Sequence, residues 1–377
     1  MHRAMGMMRH SALSATIAAG CVFLQKPAML SATGSIPVNH DQSGHDTTVF
    51  EMWQAQLTHF WTLPPFRLSE SSRFDMETYP GRALHFLDVL GDCSMLLITQ
   101  SDWNQCEALL RAAKLGQVPD TETQRAALWR ARKVESACIH PDTGELIPAP
   151  FRFCAFAPAN LVICSGLLWA SGVSLRASAL WQWLNQSYNV AVNHFNRSSG
   201  SPPPERLVVA YIGATLSSVS IAVGLQYLGN QLKGGARLVR LCVPMVGVSV
   251  GAVVNLVATR SEEMREGVAL RDEAGNYIGH SQMAANSALA QCSATRVAWT
   301  VALLTLAPLV SGLTLRALPA TIPRAVSVAA DLASSFVVIW LSVPLCIAIW
   351  PQHTSLPGEK LEKQFHHIKC AHFNKGL

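Results

Sequence analysis

Residues 297–315 read VAWTVALLTLAPLVSGLTL, nineteen positions without an Asp, Glu, Lys or Arg. As a helix rising 1.5 Å per residue this run is roughly as long as the 30 Å hydrocarbon core of a bilayer is thick. It is one of six. Runs 153–175, 177–196, 207–232, 241–259 and 332–358 are equally free of those four residue types. Ionisable groups are costly in hydrocarbon, so long stretches lacking them mark membrane-spanning helices. Composition agrees: 50% of residues are apolar, only 14% are charged, and mean hydropathy is +0.23. Soluble domains carry about 25% charge. The sequence predicts an all-α membrane protein with five transmembrane helices, an amphipathic amide-rich helix and a small N-terminal helical region.

The charge lies outside the runs, and that sets the expected organisation. Residues 1–70 form an N-terminal extension with Arg3, Arg9 and Lys26 and no acid before Asp41, the pattern of a targeting segment or a disordered tail. Residues 71–146 form a helical region outside the bilayer. Within it Cys106, Leu109, Leu110 and Ala113 share one helical face, and Leu128, Ala131 and Val134 share another. Asp120 or Thr121 is placed to cap the second of these helices. Residues 147–350 form the transmembrane domain, with spans at 153–173, 207–228, 236–258, 293–315 and 326–350. A hydrophilic loop at 259–281 interrupts it, and 268–271 and 276–280 flank a Glu273-Ala274-Gly275 turn as a hairpin. Residues 351–377 form a C-terminal tail. Pro244, Pro308 and Pro344 lie inside spans, where a freed carbonyl needs a neighbour or a cavity.

One run is too polar for an ordinary span. Gln182, Asn185, Asn189, Asn193 and Asn196 are spaced 3, 4, 4 and 3. At 100° per residue they occupy one face within about 80°. Side-chain amides offer donors and acceptors without net charge, which suits a zwitterion. Two other readings fit the same stripe: an interfacial helix with its polar face to water, and hydrogen bonding that only holds helices together. Arg197 at the end of the stripe suits a solute carboxylate or a lipid headgroup. Asn255 and Asp331 are the remaining conspicuous polar groups within apolar runs. His140-Pro141-Asp142-Thr143-Gly144-Glu145, just before the first span, reads equally as a tight turn and as a gate.

Several function classes are excluded by what the residues lack. Ten cysteines include no CxxC pair, so the spacing of zinc and iron–sulfur sites is missing and no cofactor is expected. His366, His367, Cys370 and His372 near the C-terminus form a grouping with weak metal-ligand character. A net charge of +5 without a basic cluster gives nucleic-acid binding no support. No phosphate loop, nucleotide fingerprint or nucleophile–base pairing points to an enzyme.

The His140–Glu145 string resembles a motif of the sideroflexins, mitochondrial inner-membrane proteins. So do Trp181-Gln182-Trp183-Leu184-Asn185-Gln186-Ser187-Tyr188-Asn189, continuing to Asn193 and Asn196-Arg197-Ser198, and Gly81-Arg82-Ala83-Leu84-His85-Phe86. The loop from Arg260 through Glu263, Gly267, Asp272, Gly275-Asn276 and Gly279 to Ser281 is similar too, as is the ending Phe373-Asn374-Lys375-Gly376-Leu377. The likeness runs in order over about 74–377. The extension before about Glu70, and Gly91-Asp92-Cys93-Ser94 in place of an Asp-Pro-Arg turn, depart from the family pattern. The resemblance implies multi-pass residence in the inner mitochondrial membrane. It implies transport of serine, with alanine, glycine and cysteine as further substrates supplying one-carbon metabolism. It adds Gln186 to the substrate-binding candidates Gln182, Asn185, Asn189, Asn193, Asn196, Arg197 and Asn255. Alternatives within the same resemblance are an inner-membrane scaffold or assembly factor in iron, haem or iron–sulfur homeostasis, and a tricarboxylate carrier.

Overall fold

A computed structural model of the chain describes residues 49–140, 143–170, 173–196, 204–231, 236–319 and 321–376. Most of the N-terminal extension, together with Pro141, Asp142 and Arg197, lies outside the described residues. Eleven α-helices are described: α1 (Val49–Trp61), α2 (Tyr79–Gly91), α3 (Gln100–Lys114), α4 (Glu122–Cys138), α5 (Phe156–Ala170), α6 (Leu175–Phe195), α7 (Pro204–Gln231), α8 (Ala236–Thr259), α9 (Ser261–Glu266), α10 (Gln282–Ala317) and α11 (Arg324–Ile347). Among the described residues four segments are long and apolar enough to cross a membrane: Phe153–Ala170, Tyr211–Leu228, Gln282–Ala317 and Arg324–Ile347. The expected span at 236–258 is the helix α8, of which the described apolar part is Met245–Thr259.

The bundle is apolar outside and polar inside. Val209, Leu216, Leu309 and Leu313 are exposed on α7 and α10, while Ser218, Gln226, Asn255 and Thr300 are buried. Water would favour the reverse arrangement, and lipid favours this one. The principal pairings are α7 with α8 and α10 with α11, with α6 laid against α7 and α8. Ser311 on α10 donates to Asp331 on α11, and Ser334 donates to Thr314 at 3.1 Å. These short side chains hydrogen-bond across the α10–α11 seam.

The N-terminal helices dock on the end of α11. Thr78 caps α2 by accepting from the Gly81 amide. Gly81 cannot be replaced, because a Cβ there would fall 1.9 Å from the Asp75 carbonyl oxygen. The next residue, Arg82, is buried and donates to the carbonyls of Ala348 (2.9 Å), Met76 (3.1 Å) and Glu77 (2.7 Å). It thereby takes up a carbonyl just past α11, where helix carbonyls lack intrahelical partners. The predicted faces of α3 and α4 meet as expected: Cys106, Leu109, Leu110 and Ala113 pack against Leu128 and Ala131. Thr121, rather than Asp120, caps α4, accepting from the Gln124 amide; Asp120 pairs with Arg125.

Outside the bundle the chain forms a four-stranded sheet in the order β2-β1-β4-β3, from β1 (Val268–Arg271), β2 (Tyr277–Ser281), β3 (His353–Pro357) and β4 (Cys370–Asn374). The hairpin of the hydrophilic loop is antiparallel, Val268 opposite Ser281, and Gly275 takes the positive φ of 86° its turn needs. The tail is ordered and completes the sheet, with Arg271 of β1 opposite His372 of β4. Leu270, Ala284, Phe365 and Phe373 form the core beneath it. Lys375 is buried and donates to the Trp350 carbonyl at 3.0 Å, and desolvation lowers its pKa. His366 contacts the Leu361 carbonyl at 3.1 Å through its ring. Among the described residues no three His, Cys, Asp or Glu stand close enough to hold a metal ion.

A partly buried charge cluster ties α2 to α4. Lys133 donates to Asp88 at 2.9 Å and to Asp92 at 2.8 Å, and Arg73 lies 3.2 Å from Asp88. Burial pushes the Asp92 carboxyl up, but Lys133 and the Ser94 donors bring it to a net value below normal. Burial likewise pushes Lys133 down, and the two carboxylates more than reverse that. Lys133→Met leaves two partly buried carboxylates facing each other and is expected to cost about 3 kcal/mol. Asp92 stabilises the fold above its ordinary value of 3.8 and ceases to as pH falls through its lower folded value. Lys133 stabilises below 10.5 and ceases to as pH rises through its higher folded value. Thermal unfolding of wild type and variant in nanodiscs should therefore differ across neutral pH and converge in strong acid.

Candidate functional site

The amide-rich helix α6 begins at Ser174, whose side chain accepts from the Ala177 amide. Its two faces are inverted relative to a soluble helix. Leu180, Trp183 and Leu184 are exposed, whereas Gln182, Asn185 and Gln186 are at most 3% exposed. The polar face is turned to protein, so the helix does not lie with its amides in water. Ser178 donates to Gln226 of α7 at 2.6 Å, and the hydroxyls of Ser187 and Tyr211 lie 3.0 Å apart.

The predicted stripe divides into three. Gln182 and Gln186 enter the groove between α7 and α8, opposite Gly247 and Gly251. A Cβ on Gly247 would lie 3.0 Å from Gln182 Nε2, and one on Gly251 would lie 2.3 Å from Gln186 Nε2 and 2.8 Å from Ser218 Cβ. Only glycine lets the two amides reach so far between the helices. Asn185 and Asn189, on the neighbouring strip, line a cavity of about 30 Å³ with Asn160, Asn255, Arg296, Trp299 and Thr300. The last part of the stripe does not reach it. Asn196 ends the helix by donating to the carbonyls of Phe151 and Val192, each at 2.8 Å. Asn193 is half-buried outside the cavity lining.

The buried amides are short of partners. Gln182 Oε1, Asn185 Nδ2, both amide atoms of Gln186 and both of Asn255 have no hydrogen-bond partner among protein atoms. Asn189 Nδ2 reaches Asn185 Oδ1 only at 3.4 Å. An unpaired buried polar group costs roughly 1–3 kcal/mol. Concentrating several in one place is expensive for a fold and suits a site that binds something polar. Arg296 is the residue the sequence reading missed. It is half-buried in the cavity wall on α10, immediately before the charge-free run at 297–315. No carboxylate or carbonyl bonds its guanidinium among the described residues.

The His140–Glu145 string is built as a turn. The Glu145 carbonyl accepts from the His140 amide at 2.9 Å, and the His140 carbonyl accepts from the Gly144 amide at 3.0 Å. Thr143 N donates to His140 Nδ1 at 3.2 Å, and Gly144 has φ 69°. Ile139 and Leu146 bridge across its base. None of its described residues lines the cavity. A larger cleft of about 250 Å³ lies between α2 and α4 and includes the Lys133 charge cluster; it is remote from the amides.

An apolar exterior around buried, underpartnered amides defines a multi-pass membrane protein with a polar interior site. The family model for sideroflexins matches residues 69–377. A sideroflexin of Dictyostelium discoideum is 35% identical over 320 residues, 81% of this chain and 96% of that one. Human sideroflexin-5 is 35% identical over 323 residues, 83% and 94% of the two chains. A sideroflexin of Saccharomyces cerevisiae is 30% identical over 326 residues, covering 83% and 98%. The chain belongs to the sideroflexin family. No solved structure matches it significantly.

Gly251→Ala forces Gln186 and Ser218 apart, and such overpacking typically costs about 1–3 kcal/mol. It should lower the melting temperature in nanodiscs, and Gly251→Ala with Gln186→Ala should recover part of the loss. An unshifted single variant would show that this groove is not closely packed.

Proposed function

We propose that this chain carries small neutral amino acids, serine among them and alanine, glycine and cysteine alongside, across the inner mitochondrial membrane. The region 147–350 would lie in the bilayer, with 71–146 and the C-terminal sheet outside it. The observation that carries this reading is the set of underpartnered amides of Asn185 and Asn255 facing one cavity inside an apolar shell. A zwitterion asks for N–H donors at its carboxylate and oxygens at its ammonium, and amides supply both. The amides themselves add no charge to a cavity whose wall already holds Arg296. Membership of the sideroflexin family supports a transporter role and agrees with this chemistry.

The cavity has room for about two waters, so a serine requires the surrounding helices to part. Pro308 and Pro344 interrupt the hydrogen-bond ladders of α10 and α11 and give each a place to bend. Broken helices recur around transporter binding sites. Purified protein in liposomes should take up labelled serine, with alanine and glycine competing. Asn185→Ala with Asn189→Ala should reduce uptake at least tenfold while melting normally. Undiminished uptake by a folded double variant would move the site elsewhere, and inert wild-type protein would end the carrier reading.

A further inference from the structure

The chain shows how it holds an arginine for structural purposes. Arg82 bonds three carbonyls. Arg152, 3% exposed, bonds the carbonyls of Ile147 at 2.7 Å, Met95 at 2.6 Å and Ile98 at 3.0 Å. Arg260 grips both carboxylate oxygens of Glu263 at 3.0 Å through Nε and reaches Cys292 Sγ at 3.4 Å. Arg296 has no such arrangement. Glu263 is engaged by Arg260 and Asp331 by Ser311. Arg296 lines the cavity with Asn185, Asn189 and Asn255, one turn before Trp299 and Thr300.

A planar fork of N–H donors, unpaired and beside neutral amides, is the group that recognises a carboxylate bidentately. We infer that Arg296 is the carboxylate anchor of this site, so that it selects solutes bearing a single small carboxylate, with the ammonium taken by the Asn255 side-chain oxygen. This rests on the carrier reading and deepens it. Of the polar lining, Arg296 alone carries formal charge; bound to a zwitterion it is neutralised by the carboxylate, leaving the ammonium for the amide wall. The competing arrangement is an arginine at the end of an apolar run reaching for lipid headgroups.

The test is serine uptake into liposomes by full-length wild type, Arg296→Lys and Arg296→Gln, with a competitor series and melting curves for each. Glycolate and lactate, which keep the carboxylate, should compete with serine; serinamide and ethanolamine, which lack it, should not. Arg296→Gln should raise KM for serine at least tenfold with the maximal rate little changed, and Arg296→Lys should recover part of that. Unchanged KM in a folded Arg296→Gln, or competition by serinamide equal to that by serine, overturns the inference and leaves the carrier reading standing. So does an effect of Arg296→Gln that appears only in vesicles rich in anionic lipid. If wild type takes up no serine, the carrier reading fails. The anchor is then decided by melting shifts with lactate and glycolate: a shift in wild type absent from Arg296→Gln supports it, and no shift overturns it.

Discussion

The structure depends on how amide groups are kept out of hydrocarbon. In lipid a polar side chain has no solvent to return to, so a helix carrying several must turn them inward and find room for them. Helix α6 does this by placing Gln182 and Gln186 against Gly247 and Gly251, where any larger residue would meet the amide nitrogens. That close approach sets the spacing of α6, α7 and α8, and Asn185 follows from it. With Gln186 seated in the groove, the next position round the helix must face α5 and α10. The cavity is a product of the same packing.

The remaining elements fix the ends of the bundle. Arg82 and Tyr79 hold the end of α11, the latter by donating to the Leu345 carbonyl at 3.3 Å, and Trp340 donates back to the Gly91 carbonyl at 3.3 Å. Arg152 ties the 3₁₀ turn after Asp92 to the start of α5. Buried arginines satisfied by carbonyls are rigid, short-range fasteners, since each such charged hydrogen bond contributes more than a neutral one. They account physically for several of the strings shared with the family: Gly81-Arg82 is a close contact followed by a fastener, and Gly144 is a turn residue.

The spans and the amide stripe were legible because each leaves a periodic or a compositional trace. Charge-free length identified α5, α7, α10 and α11, and spacing of 3 and 4 put the amides on one face. Spacing alone does not say which neighbour each amide meets, so the division into groove, cavity and helix end was invisible. Arg296 escaped for a related reason: as the last charge before 297–315 it looks like a boundary residue. Gly247, Gly251 and Asn255, at intervals of four, were a usable signal, a small-residue stripe ending in an amide. The sheet was half legible. Its hairpin has a local turn, whereas β4 pairs with β1 across about a hundred residues, and nothing local in 370–374 announces that partner.

That long-range pairing has a mechanical side. Because β1 precedes α10 and β4 follows α11, Arg271 opposite His372 clasps the two helices at one end while the Ser311–Asp331 and Ser334–Thr314 bonds stitch them further along. Together they make α10 and α11 a frame that cannot shear without opening a sheet. Arg296 belongs to that frame, whereas Asn185 and Asn189 stand on α6, which packs on glycine against α7 and α8. The charged group and the α6 amides of the cavity wall are thus carried by separately anchored elements.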